Sequence, residues 1–294
     1  MSDKPRPLIE IAIEPLSGID QSKLGPALVA TASEDPDFTC SVDRESGQTI
    51  LSGNSEAHLE RILARFKNEL RIGIKAGRPQ VSYRETVTGP ADVDHTYKKL
   101  IGSAGEFARV IIHVEPLPAG GGFLFESGSA PLASYLPGIE RGVQVALESG
   151  VLGGFPVIDI RVRLTDGAYH DIDSSKRAFE IATRAAMKEA LSAAGPILLE
   201  PVMRVEVVTP RDCMGDVVGD LNSRRGRVTG QDQRGNAEVI SALVPLANLF
   251  GYPKTLESMT HGRATHEMRF SHYAPTPPAA PDDPTFRPAM GMRA

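Results

Sequence analysis

One order of elements is written twice into this chain, near each end, and that repetition limits the fold more than any single motif does. From Leu8 to Glu14 apolar and polar residues alternate as in a half-buried strand. A helix is expected from about Asp20, read as its N-cap, with Leu24, Ala27 and Leu28 on one face. Gly25 and Pro26 lie inside that stretch, and an interior proline removes a helix hydrogen bond, so a late start or a kink is expected. Two short strands follow, near Phe38–Val42 and Thr49–Ser52, separated by the turn residues Glu45-Ser46-Gly47. Leu59, Ile62, Leu63, Phe66 and Leu70 then recur at the spacing of a single helix face. A strand near Ile72–Lys75 ends at Gly77. The order β-α-β-β-α-β is the split βαβ, or ferredoxin-like, arrangement.

The last folded segment repeats it. Met203, Val205 and Val207 alternate in a strand that ends at Pro210, and a helix is expected from about Met214 to Arg225, stopping at Gly226. Strands near Arg227–Gln231 and Glu238–Val244 precede a helical stretch, Leu246–Met259, that contains Gly251-Tyr252-Pro253. A strand over about Ala264–Ser271 closes the unit. Two copies of one topology therefore flank a different middle.

The middle is longer. Val110, Ile112 and Val114 alternate, as do Ile158, Ile160, Val162 and Leu164, and each set predicts a strand. Leu132, Leu136, Ile139, Val143 and Ala146 predict an amphipathic helix between them. A second helix is expected from about Ser174 to Leu191, capped by Asp173 or Ser174, with Ala178, Ile181, Ala182, Ala185 and Ala186 on one stripe. The expected domains are 1–77, 78–196 and 197–273, followed by a Pro/Ala-rich disordered tail over 274–294.

Composition narrows the function classes. With 294 residues, 41% hydrophobic and 23% charged, the chain can build two or three cores. No apolar run reaches the roughly 18 residues of a membrane span, and Met1–Pro7 lacks the apolar core of a secretory signal. Cys40 and Cys213 are the only cysteines and lie far apart in sequence, which suits reduced thiols and a cytoplasmic protein. A net charge of -5 argues against generic polyanion binding, so any RNA contact must come from local patches.

A phosphate loop needs Gly-Lys before Ser or Thr, and no lysine here follows a glycine. No GTP or magnesium is therefore expected to bind this chain, and no catalytic residue is assigned. Asp166, His170, Asp171 and Asp173 are expected to meet in a hairpin, but the segment lacks the cysteine or second histidine of a usual metal site. An exposed turn feeding a capped helix, or a loop tip that touches a partner, explains them better. His261, His266 and His272 read as surface histidines. Asn222, Ser223, Arg224, Arg225 and Arg227 suit two roles equally: ending a helix, or contacting phosphates with guanidinium forks.

Several longer runs carry a family likeness: GQTILSG (Gly47–Gly53), HLE (His58–Glu60), GRPQVSYRET (Gly77–Thr86), YHDIDSS (Tyr169–Ser175), LLEPVMRVEVVTP (Leu198–Pro210), GDLNSRRG (Gly219–Gly226) and FSHY (Phe270–Tyr273). Together they resemble, in order, domains three, four and five of translation elongation factor G. The resemblance implies an α+β protein with two ferredoxin-like domains flanking a ribosomal-protein-like domain with a left-handed βαβ crossover. It implies no counterpart here of the family's GTPase domain and adjoining barrel, which precede these three.

It further implies a monomeric partner of the ribosome. The middle domain's tip would enter the decoding-site region and promote movement of transfer RNA and messenger RNA, and the last domain would contact large-subunit RNA near the GTPase-associated centre. A separate GTPase half is a further expected partner. The implied contact residues are His170, Lys98, Lys99, Gly102 and Gly105 at the tip and Asn222, Ser223, Arg224, Arg225 and Arg227 in the last domain. Arg224 and Arg225 are expected to serve RNA affinity with little effect on stability.

Two stretches depart from the family pattern. Where the first tip loop has Gly-Gly-Arg-Gly-Gln-Tyr-Gly, this chain has Gly102 to Ala108, with Ala104 at the arginine position and Glu106 at the glutamine. The Gly-Glu-Leu-His-Leu helix opening becomes Ser55-Glu56-Ala57-His58-Leu59. Weak translocation is the expectation from the altered tip. Rival readings are a divergent ribosome-protection or accessory factor, a decayed factor without function, and a small-molecule-binding regulator built on ferredoxin-like units.

Overall fold

The computed structural model describes residues 7–42, 48–101, 104–128 and 130–277. Its described residues form two compact units, one of 7–82 with 200–272 and one of 83–199 with 273–277.

In the first unit, β1 (Ile9–Pro15), α1 (Gly18–Glu34), β2 (Thr39–Val42), β3 (Thr49–Gly53), α2 (Glu56–Asn68) and β4 (Ile74–Ala76) build one antiparallel sheet with its two helices. The strand order is β2-β3-β1-β4, the ferredoxin-like arrangement, and β5 (Gln80–Val81) also pairs with β1. Ile9, Ile11 and Ile13 face a core completed by Leu24, Leu28, Leu59, Ile62 and Phe66, so the strand's period of two meets one stripe from each helix.

The α1 helix starts earlier than expected and shows no late start at Asp20. Ser17 is the N-cap, its Oγ accepting from Asp20 N at 3.2 Å, which makes Asp20 a first-turn residue. Pro26 sits within this helix. The α2 helix ends at Asn68, short of Leu70, which is exposed rather than part of the buried face. Glu45-Ser46-Gly47 lie outside the described residues.

The second unit holds β6 (Arg84–Val87), β7 (Ala91–Ile101), β8 (Ala104–Pro116), β9 (Phe123–Ser127), α3 (Leu136–Ser149), β10 (Ile160–Ala168) and α4 (Lys176–Ala193). The sheet order is β7-β8-β10-β9, antiparallel except for the parallel pair β9/β10, between which α3 runs as the crossover. Val110, Ile112, Val114, Ile160, Val162 and Leu164 meet Ile139, Val143, Ala178, Phe179, Ala182 and Ala186 in one core. Gly138 and Gly142 let α3 and α4 approach closely: a Cβ on Gly138 would stand 2.2 Å from Lys176 O. The cap of α4 is Ser175, whose Oγ accepts from Ala178 N at 3.1 Å, not Asp173 or Ser174.

The chain continues with β11 (Pro196–Pro210), α5 (Met214–Ser223), β12 (Arg227–Arg234), β13 (Ala237–Pro245), α6 (Tyr252–Thr260) and β14 (Thr265–Pro275). Strand order β12-β13-β11-β14 repeats the first sheet's order. Residues 196–199 of β11 pair with β6. The single helix expected over Leu246–Met259 is interrupted: Gly251 takes a left-handed φ of 70° as the N-cap of α6, and Leu246–Asn248 forms a separate short 3-10 turn. The tail does not begin at 274, because β14 runs through Pro275 and Thr276 N donates to Leu198 O at 3.0 Å.

Candidate nucleic-acid interface

The tip is two segments tied together within the second unit. Lys98–Ile101 and Ala104–Ala108 are paired strand rather than loop: β7 runs to Ile101 and β8 from Ala104, with Lys98 opposite Phe107, Lys99 opposite Glu106 and Leu100 opposite Gly105. Gly102 and Ser103 lie outside the described residues. The Asp166–Asp173 segment is not a hairpin either, since β10 ends at Ala168 and the chain turns directly toward α4.

Two hydrogen bonds join these segments. Phe107 N donates to Asp173 O at 2.8 Å, and Ser174 Oγ donates to Phe107 O at 2.7 Å. Gly105 fits beneath them because it has no side chain; a Cβ there would meet the Asp173 carboxyl at 2.7 Å. Tyr169 lies 5.6 Å from Tyr135, which stacks on buried Phe179 at 4.5 Å, so an aromatic column holds the loop from below. His170, Lys98, Lys99 and Gly105 are thereby brought to one end of the unit.

The electrostatics of that end differ from the simple expectation. Glu106 does not project free: its Oε2 accepts from Tyr97 OH at 2.7 Å, and this bond holds the Tyr97 phenol above its usual range. Lys98 and Lys99 are exposed and form no ion pair among the described residues. His170 is exposed, with Nδ1 3.4 Å from Asp173 Oδ2. Leu100 and Ile172, 77% and 85% exposed, add apolar surface beside them. Among the described residues no group of three or more His, Cys, Asp or Glu could hold a metal ion, and no helix is long and apolar enough to cross a membrane.

The arginine cluster after α5 belongs to the other unit and is built differently from the expectation. Arg224 donates through Nε to Asp220 at 2.7 Å, through Nη1 to Asn248 O at 2.8 Å and through Nη2 to Thr255 Oγ1 at 3.2 Å, and lies over the Tyr252 ring at 5.1 Å. Its side chain is 17% exposed. Arg225 pairs at 2.6 Å with Glu200, whose side chain is 5% exposed. Arg224 is thus enclosed by the fold, whereas Arg225 anchors a buried carboxylate while its own side chain stays 44% exposed. A buried carboxylate and three acceptors depend on the pair, which gives both arginines a structural role that the expectation of little effect on stability left out.

The helix also stops earlier than expected, α5 ending at Ser223 rather than at Arg225. Arg225, not Gly226, takes the left-handed φ of 61°, while Arg225 N and Gly226 N bond Asn222 O and Leu221 O at 3.1 and 2.8 Å, closing a Schellman-like turn. Arg227 remains exposed without an ion pair among the described residues, as does Asn222; Ser223 Oγ donates to Asp220 O.

A residue that motif spacing did not single out is Glu85, within the GRPQVSYRET run. It is 1% exposed and accepts from Val151 N, Leu152 N, Gly153 N and Phe155 N at 2.6 to 3.2 Å. Tyr83 packs edge-on against Phe155 at 5.4 Å, and Arg84 lies over the Tyr273 ring at 5.5 Å. Tyr83, Arg84 and Glu85, at the end of that run, therefore have a structural role in the second unit; a lone acidic residue in an alternating strand was the only signal for it.

Three family models match consecutive stretches: "Elongation Factor G, domain III" over residues 4–78, "Elongation factor G, domain IV" over 79–195 and "Elongation factor G C-terminus" over 197–284. The chain belongs to the elongation factor G family. It is 53% identical over 282 residues to elongation factor G of Paracoccus denitrificans, a match that covers 95% of this chain and 40% of that protein. It is 55% identical over 276 residues to that of Rhodopseudomonas palustris, covering 93% and 40%. The chain thus spans about 40% of the length of these curated relatives. A crystal structure from Thermus thermophilus matches with a TM-score of 0.75 at 36% identity, over 95% of this chain and 42% of that one. The matches do not favour a small-molecule regulator.

Proposed function

We propose that this chain is the ribosome-engaging part of an elongation factor G, acting in translocation when coupled to a GTPase part, with the stitched tip of the second unit as the element that meets the decoding region. The observation that carries this is the junction of Gly105–Phe107 with Asp173–Ser174, which holds Lys98, Lys99 and His170 together at one exposed end. Loops set on a rigid sheet are where binding residues concentrate. In the last domain, Asn222, Arg225 and Arg227 present exposed side chains as RNA-contact candidates, whereas Arg224 is held by Asp220, Asn248 and Thr255.

Ala104 and Glu106 leave the tip without the arginine and glutamine of the family pattern, so Lys98 and Lys99 supply its charge. Co-sedimentation with ribosomes, without nucleotide, tests this. The chain binds, and Lys98→Gln/Lys99→Gln reduces the salt slope of binding by about one unit for each phosphate no longer neutralised. Grafted into an active factor, this middle domain gives slower translocation. An unchanged slope and full-speed translocation would overturn the tip assignment.

A further inference from the structure

Away from the tip, whose Lys98 and Lys99 form no ion pair among the described residues, the cations of the second unit fall into two sets. On the outer face of its sheet they are matched. Arg161 and Arg163 meet Glu115 at 2.6 and 2.9 Å, Arg163 meets Glu126 at 2.8 Å, His113 meets Asp92 at 2.8 Å, and Arg109 bonds Asp94. On the helical face they are not. Lys176, Arg177, Arg184 and Lys188 of α4 are exposed and form no ion pair among the described residues. Arg141 of α3 reaches Glu180 only at 3.8 Å and keeps its side chain 70% exposed.

These five cations border two adjoining hollows between α3 and α4, of about 610 and about 400 Å³, which share Ile181 and Arg184. Glu180 is the single carboxylate in their described lining. The larger hollow is lined by Pro137, Gly138, Lys176 and Arg177, so the first turns of both helices open into it and their dipoles add to the positive field. Gly138 and Gly142 hold the helices close enough to make one shared groove.

We propose that this groove is a second RNA-binding surface, distinct from the tip, that takes the phosphodiester backbone of an RNA helix. The cations form a row rather than a convergent cluster: from Lys176 to Lys188 α4 advances about 18 Å. A row suits a linear polyanion, whereas a small anion needs donors that converge on one point. Its start is continuous with the tip, because α4 begins directly after the loop that carries His170. A chain of net charge -5 that gathers five cations against one carboxylate along one groove has concentrated its positive field where a backbone could lie.

The test uses the full chain and a mixed-sequence RNA duplex of about 20 base pairs, with affinity measured from roughly 50 to 200 mM salt. Arg184→Gln/Lys188→Gln lowers the magnitude of the salt slope by about 0.9 for each phosphate no longer neutralised, hence by about two units. Lys67→Gln/Lys75→Gln, exposed cations of the other unit, leaves it unchanged. No measurable duplex binding by the unaltered chain, an equal slope in the Arg184/Lys188 variant, or tighter binding of poly-glutamate than of RNA overturns the proposal. Ribosome binding measured in parallel separates the two ideas. A reduced slope on the duplex without ribosome binding by the unaltered chain would leave the groove standing and remove the translocation reading.

Discussion

Glu85 and Arg224 show how much of a recognisable motif is architecture. Glu85 has two carboxylate oxygens, and each accepts two backbone N–H groups of the 151–155 turn. Glutamine would keep the shape but present an amide NH2 to two of those donors. Glu85→Gln is therefore expected to destabilise the second unit by about 1–3 kcal/mol for each N–H left facing the amide. Urea unfolding of the full chain measures this, and a change below about 0.5 kcal/mol would contradict the four-donor role. Arg224 shows the limit of spacing arguments. A triple arginine beside Asn and Ser reads equally as phosphate contact or helix end, and only the positions of Asp220, Asn248, Thr255 and Tyr252 show that Arg224 is held within the fold. Asn248 and Thr255 lie 24 and 31 residues away in sequence, beyond any local pattern.

Among the elements, helix ends carried the clearest differences between expectation and structure. Three caps sit one to three residues from where side-chain type alone places them: Ser17 rather than Asp20, Ser175 rather than Asp173 or Ser174, and Arg225 rather than Gly226 in the left-handed position. In the last case the glycine is still required, for a different reason. A Cβ on Gly226 would stand 2.4 Å from Leu221 O and 3.0 Å from Val244 Cγ2, so the residue is there for close approach rather than for φ. Gly226→Ala is expected to cost on the order of 1–3 kcal/mol by overpacking the end of α5. Thermal unfolding reads this out, and an unchanged midpoint would mean that the α5–β12 turn shifts freely. The hairpin of β7 and β8 is the converse case. Its strands run to the tip although Lys98, Lys99 and Leu100 break the apolar alternation, because backbone pairing continues where no core demands a pattern.

At the scale of the whole molecule, ion pairs set the response to acid. Hydrogen bonds from Arg65, Arg109, Arg161 and Arg263 hold Glu34, Asp94, Glu115 and Asp212 below the usual carboxylate range, and Ser17 does the same for Asp20. Because the folded values are lowered, their contribution is present above the unfolded pKa of about 4 and disappears as pH falls through the folded values. The melting temperature is expected to change little from about pH 7 to 5 and to fall below about pH 4, less steeply in high salt because these pairs are exposed and screened. A melting temperature that holds to about pH 3 would show that the ion pairs contribute nothing. The two ferredoxin-like orders, the alternating strands of the middle and its amphipathic helices are legible in the residues alone, because apolar period and turn residues are local and each face must be buried. Packing alone reveals which arginines are held by Glu200 and Asp220, that Glu106 is occupied by Tyr97, and that the cations of α4 line one groove beside α3. Those outcomes depend on partners that packing brings together, many of them tens of residues apart, and side-chain charge in a sequence carries no record of what it will face.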